Sequence, residues 1–592
     1  MKSLKYINKY FFKYRYRLLL GILFVGVSNY FAIKAITVSG HAIDIVKNYL
    51  SAGNPNETSK GLFLMELRNQ FFLIILWAIV SGVFLFLTRQ TIIVLSRLIE
   101  YDQKNEIFEH YQKLDISFYK RNSTGDMMNR ISEDVARVRM YTGPAIMYII
   151  NTLFSFVFTI YEMRSKDATL AFVSLLPLPI LAISIYYISD TIFKKSTKVQ
   201  EQLSDITAHS QEAFSGIRVL KAYGREVHSV NEFEKKSTEY KTRNMKLVKI
   251  EALFQPFVAG LIGLSVILTI YVGGLELIKG AISFGTIATF LLFINRLTWP
   301  IASLGWVTSL IQRASSSQAR INEFLDSKPE IVSTSTDVKP INGYIEFRNV
   351  SFTYPDSGIN ALKNVSFSIN HGETLAIIGR TGSGKSTIAN LICRLYDTKE
   401  GEILIDNKDI KEHNMESLRS KIGYAPQEVF LFSDSINHNI AFSLDLNKQN
   451  DKTIQNAAKD AAIYSNIIAF PEKFETIVGE RGITLSGGQK QRISIARAII
   501  KKPQILLFDD CLSAVDTETE EEILNNLKET MANKTTLLIS HRISTVKNAD
   551  KIIVLDKGEI IEQGSHKQLI DKHGTYFELN NMQQLEKEQN EQ

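Results

Sequence analysis

The chain has 592 residues, too many for one hydrophobic core, so two or more domains are expected. Its net charge of +6 would suit a nucleic-acid partner. The basic residues cluster beside long apolar segments, however, which favours anionic lipid head groups and argues against nucleic acid. Only two cysteines occur, Cys393 and Cys511, so a disulfide framework is not expected.

The apolar residues are concentrated in the first half of the chain. About 20 mostly apolar helical residues cross the hydrocarbon layer of a membrane. Six such spans are predicted: Leu18–Ser39, Phe71–Ile93, Pro144–Tyr161, Leu170–Ile188, Phe257–Ile278 and Ile282–Leu310. Six buried helices of a soluble protein are a much weaker explanation. Residues 1–326 are therefore expected to form a six-helix membrane domain.

The basic residues predict the orientation of these spans. Six lysines and arginines between Lys2 and Arg17 precede the first span, and the long connections 96–139 and 194–249 are also rich in both. Because basic loops remain in the cytoplasm, the N-terminus and both connections are predicted to be cytoplasmic. The expected location is the inner (plasma) membrane, crossed several times, with membrane lipids as partners.

Each long connection has helical spacing with one interruption. We interpret the helical parts as extensions of the membrane helices into the cytosol. In the first connection Gly125 is expected to open a short helix, and in the second the interruption lies at Gly216. Each short helix would lie across the end of a helical hairpin as a docking surface; a simple turn is the alternative.

The second half of the chain has a different pattern. Residues 327–343 are polar with two prolines, which predicts an extended linker. From residue 344 strands alternate with helices to about residue 580, which predicts an α/β domain. Residues 581–592 are expected to be a flexible tail.

A glycine-rich loop between a strand and a helix carries the first chemical motif. Gly379-x-x-x-x-Gly384-Lys385-Ser386 matches the P-loop pattern, in which backbone N–H groups surround phosphate oxygens. Lys385 would reach the β- and γ-phosphates, and the Ser386 hydroxyl would bind Mg²⁺. ATP and Mg²⁺ are therefore the expected ligands. The predicted phosphate-binding residues are Gly379, Arg380, Thr381, Gly382, Ser383, Gly384, Lys385, Ser386 and Thr387.

Two further strands end on polar residues that suit this chemistry. Ile505–Phe508 reads as a neighbouring strand that delivers Asp509 to the metal, since open α/β sheets bind ligands at the carboxyl ends of strands. Asp510 projects differently and would face the attacking water as a general base or as a residue that orients the water. His541 follows another such strand and is predicted to contact the γ-phosphate, although a lone histidine is more often structural.

A second anion site is predicted in front of the helix that precedes Asp509. Ser486, Gly487 and Gly488 lie at a helix N-terminus, and Gln489 follows them. The run from Leu485 to Gln489, followed by KQRISIARAI, resembles the signature sequence of ATP-binding cassette (ABC) transporters. With the six spans, the resemblance covers nearly the whole chain and has the plan of an exporter half-transporter of the multidrug or lipid-flippase type.

The resemblance implies further roles. Tyr354 would stack on adenine, and Gln427 would sense Mg²⁺, take part in catalysis and contact the membrane domain. Thr476–Gly482 resembles a segment typical of exporters, and Ser513–Asp516 resembles the loop that crosses to a partner domain. The interruptions near Gly125 and Gly216 become the two coupling helices. One chain carries one P-loop and one signature, so two chains are needed to enclose two ATP molecules.

Asp510 departs from the family pattern, which usually has glutamate. Aspartate is one methylene shorter, and a misplacement of about 1 Å can cost roughly 100-fold in rate. The remaining motifs are intact, which favours a homodimer whose sites work, at a normal or a slow rate. The alternative is one half of a heterodimeric exporter in which this ATP site is degenerate.

The expected function is ATP-driven export or flipping of a small amphipathic substrate by alternating access. The spans exclude a soluble ABC ATPase, and an ATP-gated regulator that does not pump is a further alternative. A protease-linked peptide exporter is disfavoured because no Cys/His domain precedes the first span. Polar residues in the spans leave packing and substrate contact equally open; they are Lys34, His41, Asp44, Asn295 and Arg296.

Overall fold

The structure, a computed structural model, describes residues 2–51, 57–333, 335, 340–444, 450–479 and 482–590. The chain forms two compact units, Met1–Gln112 with Gly125–Ser327, and Lys113–Thr124 with Lys328–Gln592. The sequence did not indicate that Lys113–Thr124 belongs to the second unit.

The first unit is helical and carries the membrane spans. Among the described residues, six helices are long and apolar enough to cross a membrane, which confirms the six predicted spans. In chain order they are Arg15–Ser51 (α2), Glu57–Lys113 (α3), Thr124–Lys166 (α5), Ala168–Ser215 (α6), Glu226–Ile278 (α8) and Phe284–Leu325 (α9). Shorter helices are Asn8–Lys13 (α1), Ile116–Arg121 (α4) and Ile217–Ala222 (α7), with a 3₁₀ turn at Ser3–Ile7.

The two interruptions differ in their outcome. Gly216 ends α6 and the separate short helix α7 follows it, as the sequence predicts. The prediction for Gly125 is wrong, because Gly125 lies in the first turn of the long spanning helix α5. The separate short helix of that connection is α4, which begins nine residues before Gly125. The Asp115 side chain caps α4, because it accepts a hydrogen bond from the Phe118 N–H at 3.2 Å.

Helices α2 and α9 pack closely through two glycines. A Cβ on Gly285 would overlap the carbonyl oxygen of Gly40, and a Cβ on Gly40 would overlap the Thr289 hydroxyl. Asp44 holds the start of α9, since its carboxylate accepts from the Gly285 N–H and the Ser283 hydroxyl, each at 2.6 Å. Small residues of this kind allow helix backbones to approach within a membrane. For Asp44 these contacts favour helix packing over substrate contact.

We expect Gly40→Ala to destabilise the membrane unit by about 1–3 kcal/mol, the usual cost of inserting a methyl group into a filled contact. The new Cβ would meet the Gly285 carbonyl oxygen at 2.8 Å, and backbone yields less readily than a side chain. Thermal unfolding of the purified protein in detergent measures this loss of stability. The control is Gly82→Ala, whose Cβ would have no heavy atom within 4 Å. Equal melting temperatures for the two variants would contradict the close contact.

The second unit contains two sheets. A four-stranded sheet has the order β2-β1-β4-β5 and a six-stranded sheet the order β10-β9-β3-β8-β7-β6. In the larger sheet the five strands from β9 to β6 are parallel and β10 is antiparallel. The strands are Ile345–Thr353 (β1), Asn360–Ile369 (β2), Thr374–Ile378 (β3), Glu400–Ile405 (β4), Lys408–Asp409 (β5), Ile422–Ala425 (β6), Ile505–Asp509 (β7), Thr535–Ile539 (β8), Lys551–Asp556 (β9) and Glu559–Gly564 (β10).

Helices cover this unit between the strands. They are Lys385–Ile392 (α10), Met415–Ser420 (α11), Ile436–Ala441 (α12), Asp451–Asp460 (α13), Tyr464–Ala469 (α14), Gly487–Ile499 (α15), Thr517–Met531 (α16), Ile543–Val546 (α17), His566–Asp571 (α18) and Thr575–Asn590 (α19). Two short 3₁₀ turns lie at Ile410–Glu412 and Lys473–Glu475.

Hydrophobic cores lie on both faces of the six-stranded sheet. Along β7, Leu506 and Phe508 join one core while Ile505 and Leu507 join the other. Alternation with a period of two follows from strand geometry, and a parallel sheet buried on both faces explains the continuous apolar runs in the sequence. The fold class predicted from the sequence, a helical membrane domain followed by an α/β ATPase domain, is confirmed.

Candidate nucleotide site

Strand register brings the predicted catalytic residues to one edge of the six-stranded sheet. Ile539 of β8 pairs with Ile377 of β3 on one side and with Asp509 of β7 on the other. The residues that follow these three positions therefore emerge side by side. One expectation needs correction: the Asp509 strand does not lie next to the P-loop strand, because β8 lies between them.

The P-loop connects β3 to α10 and has the backbone that a phosphate cradle needs. Gly382 and Gly384 have φ values of 81° and 102°, which side chains rarely tolerate. Lys385 begins α10, and its Nζ donates to the carbonyl oxygens of Gly379 and Arg380 at 2.9 Å each. Burial lowers the pKa of Lys385 to about 8. Its ammonium group is thus held inside the loop.

One polar atom of the loop lacks a hydrogen-bond partner among the described residues, and a bound phosphate could supply that partner. The Ser383 hydroxyl is buried and has no hydrogen-bond partner among the described residues, which is costly unless a ligand supplies one. A Cβ on Gly382 would stand in open space, so the mouth of the loop is not filled by protein. Arg380 and Thr381 are exposed at this mouth. Phosphate oxygens suit this arrangement.

The predicted metal ligands Ser386 and Asp509 lie together. The Ser386 hydroxyl donates to the Asp509 carboxylate at 2.9 Å. Burial raises the pKa of Asp509 to about 6, which means that an isolated carboxylate is poorly solvated there. A hydroxyl and a carboxylate are oxygen donors of the kind Mg²⁺ prefers, with phosphates and waters completing its octahedron. The pair therefore fits the metal.

Asp510 follows strand β7 with a left-handed backbone. Its φ is 47°, a conformation that is costly for a side-chain-bearing residue and that recurs at functional sites. Its N–H donates to the Ile539 carbonyl at 2.8 Å, which continues the β7–β8 ladder. The Gln427 amide donates to its carboxylate at 3.2 Å. Among the described residues, the Gln427 side chain is hydrogen-bonded to Asp510 and to neither Ser386 nor Asp509.

His541 lies close enough to the P-loop for the Lys385 charge to affect its pKa. Burial and the nearby Lys385 ammonium lower the pKa of His541 below its ordinary value, so the ring is neutral at physiological pH. Its carbonyl accepts from the Gln583 side chain at 2.7 Å, which ties the end of β8 to α19. A neutral ring can donate one hydrogen bond to a phosphate oxygen.

Tyr354 has partners that hold its ring beside the P-loop helix. Its hydroxyl lies 3.0 Å from the Thr387 hydroxyl, and Phe352 and Tyr396 contact the ring edge to face. The Lys120 Nζ lies 4.6 Å from the ring centroid, a cation–π contact. Lys120 belongs to α4, so a segment between two membrane helices touches the predicted adenine platform.

The signature residues form the start of α15. The Ser486 hydroxyl accepts from the Gln489 N–H at 3.3 Å, and the Gln489 side chain accepts from the Ser486 N–H at 2.9 Å. This capping box leaves the backbone N–H groups of Gly487 and Gly488 for an anion. Within the described part of the chain, no hydrogen bond links these four residues to the P-loop. Residues 480 and 481 of the segment Thr476–Gly482 lie outside the described residues.

Sequence reasoning missed residues that connect these motifs. Gln491 donates to the Ser513 hydroxyl at 3.1 Å and accepts from the Ala514 N–H at 2.9 Å, so it joins the signature helix to the loop after Asp510. The sequence offered one indication of this role, since Gln491 lies two residues after the signature residue Gln489. Lys120 had no comparable signal, because it is separated from Tyr354 by more than 200 residues.

Comparison with known proteins identifies the family of the chain. Residues 18–301 match the family described as the ABC transporter transmembrane region, and residues 362–513 match the ABC transporter family. Together these matches cover well over half of the chain. The chain belongs to the ABC transporter family, as a multi-pass membrane protein with an ATP-binding domain.

Two relatives and one solved structure are similar to most of the chain. An ATP-dependent lipid A-core flippase of Syntrophus aciditrophicus is 35% identical over 81% of this chain and 80% of its own length. A probable multidrug resistance ABC transporter ATP-binding/permease protein, YheI of Bacillus subtilis, is 35% identical over 83% and 84%. The solved structure of a bacterial Atm1-family ABC exporter with ATP bound has 28% identity and a TM-score of 0.79, covering 96% of this chain and 99% of the other.

Proposed function

We propose that this chain is one half of an ATP-driven exporter or flippase that moves an amphipathic substrate out of the cytoplasm or the inner leaflet. The observation that carries the proposal is the P-loop, acid pair and signature in one chain with six membrane spans. Its relatives include proteins named as a lipid flippase and as a multidrug transporter. The orientation follows the basic loops, with the nucleotide-binding unit in the cytoplasm.

A second chain completes the ATP site. Among the described residues, no hydrogen bond links the signature backbone N–H groups to the P-loop of the same chain, so these groups suit the γ-phosphate held by a partner. The short helix α7 and its flanks also expose apolar side chains, with Phe214 at 76% and Tyr223 at 78%. Apolar surface of this kind is typical of a docking site. We favour a homodimer, and the alternative is a heterodimer with a degenerate site here.

Hydrolysis depends on charges that this chain places around the terminal phosphate. Lys385 and the loop N–H groups hold the phosphates, and His541 donates to a γ-phosphate oxygen. Asp510, oriented by Gln427, holds the attacking water in line and accepts its proton. Mg²⁺, held by Ser386 and Asp509, would neutralise charge on the phosphates. Binding closes the two nucleotide domains, and cleavage lets them reopen.

Arg296 is the residue in the spans that most favours a substrate role. Its guanidinium donates to the Asn29 side chain at 2.9 Å, and Asn29 in turn donates to Asn151 at 2.9 Å. The Arg296 Nε is buried without a partner, and this guanidinium forms no ion pair with a described residue. By contrast, Lys34 is paired with Glu162 at 2.6 Å. An arginine without a counter-ion at membrane depth suits an anionic group on the substrate.

We expect Arg296→Ala to lower transport and substrate-stimulated ATPase activity by about 10-fold while changing basal ATPase activity less than 2-fold, because removing a charge-assisted hydrogen bond costs roughly 1.5–3 kcal/mol. Both activities are measured on the purified protein in the same lipid. Arg296→Lys, which keeps the charge, should retain more stimulation. A proportional fall of both activities would identify Arg296 as a packing residue.

Vectorial transport in proteoliposomes tests the proposed function. Purified protein alone should accumulate a fluorescent amphipathic probe or flip a labelled lipid when ATP is supplied on the side of the nucleotide-binding unit. Hydrolysis without movement would favour an ATP-gated regulator. Activity that requires a second, different half-transporter would favour the heterodimer.

A further inference from the structure

A basic cleft lies between α6 and α8, apart from the nucleotide site. It has a volume of about 690 Å³. Its lining includes five cationic side chains and one carboxylate, that of Glu201; the cations are Lys194, Lys195, Lys198, Arg243 and Lys246. Nothing in the proposed ATP cycle uses this cleft.

Among the described residues, two of the five cations have an acidic partner and three do not. Lys194 pairs with Asp190 at 2.7 Å, and Arg243 pairs with Glu239 one turn away. Within the described part of the chain, the other three lysines of the cleft form no ion pair. Like charges gathered in one cleft repel each other unless an anion neutralises them. The cleft is therefore built for an anionic ligand.

The position of the cleft along α6 relates it to the membrane surface. The predicted span ends at Ile188, so Lys194 lies six residues further on, about 9 Å of helix. The head-group layer extends about 5–7 Å beyond the hydrocarbon, and lysine side chains reach back toward it along their flexible stems. Arg243 donates to the Lys198 carbonyl at 3.1 Å, which holds α8 beside α6 at this level.

The apolar and basic faces form one stripe along α6. Ile180, Ile183 and Tyr187 are exposed by 52%, 60% and 67%. Thr191, Lys194 and Lys198 continue the same spacing of three or four residues, which places all six on one face of the helix. An apolar surface that leads directly into a basic cleft matches a phospholipid, with its acyl chains on the first part and its phosphate in the second.

We propose that this cleft binds the phosphate head group of an anionic phospholipid from the cytoplasmic leaflet. The acyl chains lie along the exposed apolar stripe of α6. The inference rests on the proposed orientation, which puts this end of α6 on the cytoplasmic side, where anionic lipids attract basic segments. It is separate from the transported substrate, because it concerns a lipid held at the edge of the membrane unit.

Native mass spectrometry of the purified full-length protein tests the proposal. Phosphatidylglycerol and phosphatidylcholine with the same acyl chains are titrated onto wild type and onto the triple variant Lys195→Gln/Lys198→Gln/Lys246→Gln. Wild type should bind phosphatidylglycerol at least about 10-fold more tightly than phosphatidylcholine, and the triple variant should lose this preference. The control Lys235→Gln/Lys236→Gln/Lys241→Gln removes the same charge farther along α8 and should keep it.

Each other outcome overturns the proposal. An unchanged preference in the cleft variant would place the lipid elsewhere. Displacement of phosphatidylglycerol by millimolar inorganic phosphate would identify a site for a soluble phosphate. Lipid binding by the monomer but not by the dimer would show that a second chain covers the cleft.

The lipid test is independent of the transport test. Lipid binding is measured without ATP, so a failure of vectorial transport leaves the result standing. Basal ATPase activity confirms that the cleft variant is folded. If Lys195→Cys in membrane vesicles reacts with an impermeant maleimide from the outer face, the proposed cytoplasmic orientation is wrong. Lipid binding to the purified protein would still show whether the cleft binds the head group.

Discussion

Lys385→Ala should reduce ATP hydrolysis by more than about 100-fold, the usual loss when a charged group that stabilises a transition state is removed from a water-excluded site. The Lys385 ammonium is held inside the P-loop by the Gly379 and Arg380 carbonyls at 2.9 Å each. The ammonium group is therefore positioned to exchange these hydrogen bonds for bonds to phosphate oxygens when the nucleotide binds. Its side chain supports no apolar core, so the variant should remain folded and inserted in the membrane.

Steady-state ATPase activity of the purified protein measures this effect, with thermal unfolding as the check on folding. The matched control is Lys501→Ala. Burial also lowers the pKa of Lys501, and its Nζ also donates to a backbone carbonyl, that of Arg419 at 2.9 Å, away from the P-loop. The control should keep most of the activity. Wild-type turnover in Lys385→Ala would overturn the P-loop assignment.

Asp510→Asn should slow ATP cleavage by about 100-fold or more and trap the closed, ATP-bound dimer, because asparagine keeps the size of aspartate but cannot accept the proton of the attacking water. Asparagine also tolerates the left-handed backbone at φ 47°, so the local fold should survive. Asp510→Glu should preserve or raise turnover, since it restores the longer reach. Trapping is measured as retained radiolabelled ATP, and turnover as phosphate release.

Asp509→Asn is the contrast for these two variants. Asp509 lies one residue away but pairs with the Ser386 hydroxyl, so its loss should weaken Mg²⁺-dependent ATP binding and should not trap a closed state. If the protein alone hydrolyses ATP and Asp510→Asn leaves the rate unchanged, the assignment of the base is wrong. If activity appears only with a second half-transporter and Asp510→Asn still has no effect, this site is degenerate and the heterodimer explanation is correct.

The sequence alone predicted those parts of the protein whose physics is local. Six apolar stretches of sufficient length predict six spans because the width of the membrane sets the length of a helix. The P-loop was recognised because the positions of Gly379, Gly384 and Lys385 depend on one strand, one tight turn and one helix N-terminus. The signature at Ser486 is likewise predicted from a short stretch of sequence, because its capping box joins two residues that are three positions apart.

Tertiary structure alone decided how distant segments meet. The order of the parallel strands places β8 between β3 and β7, and no local pattern states strand order because it depends on crossover connections. The contact of Lys120 with Tyr354 depends on chain folding across more than 200 residues. The error at Gly125 has a related cause: glycine permits a break in a helix but does not require one, and the Asp115 cap places the short helix at α4.

The same division applies to charge. The sequence shows that the connections are basic, because that is a count of residues. Which lysines have partners depends on neighbours in space: Lys34 is paired with Glu162 across two helices, whereas the described residues leave Lys195 and Lys246 without an acid. The sequence thus determined the class of protein, the spans and the ATP chemistry. The strand order, the orientation of Asp510 and the basic cleft between α6 and α8 arise only when the chain is folded, because each depends on contacts between segments that are far apart in sequence.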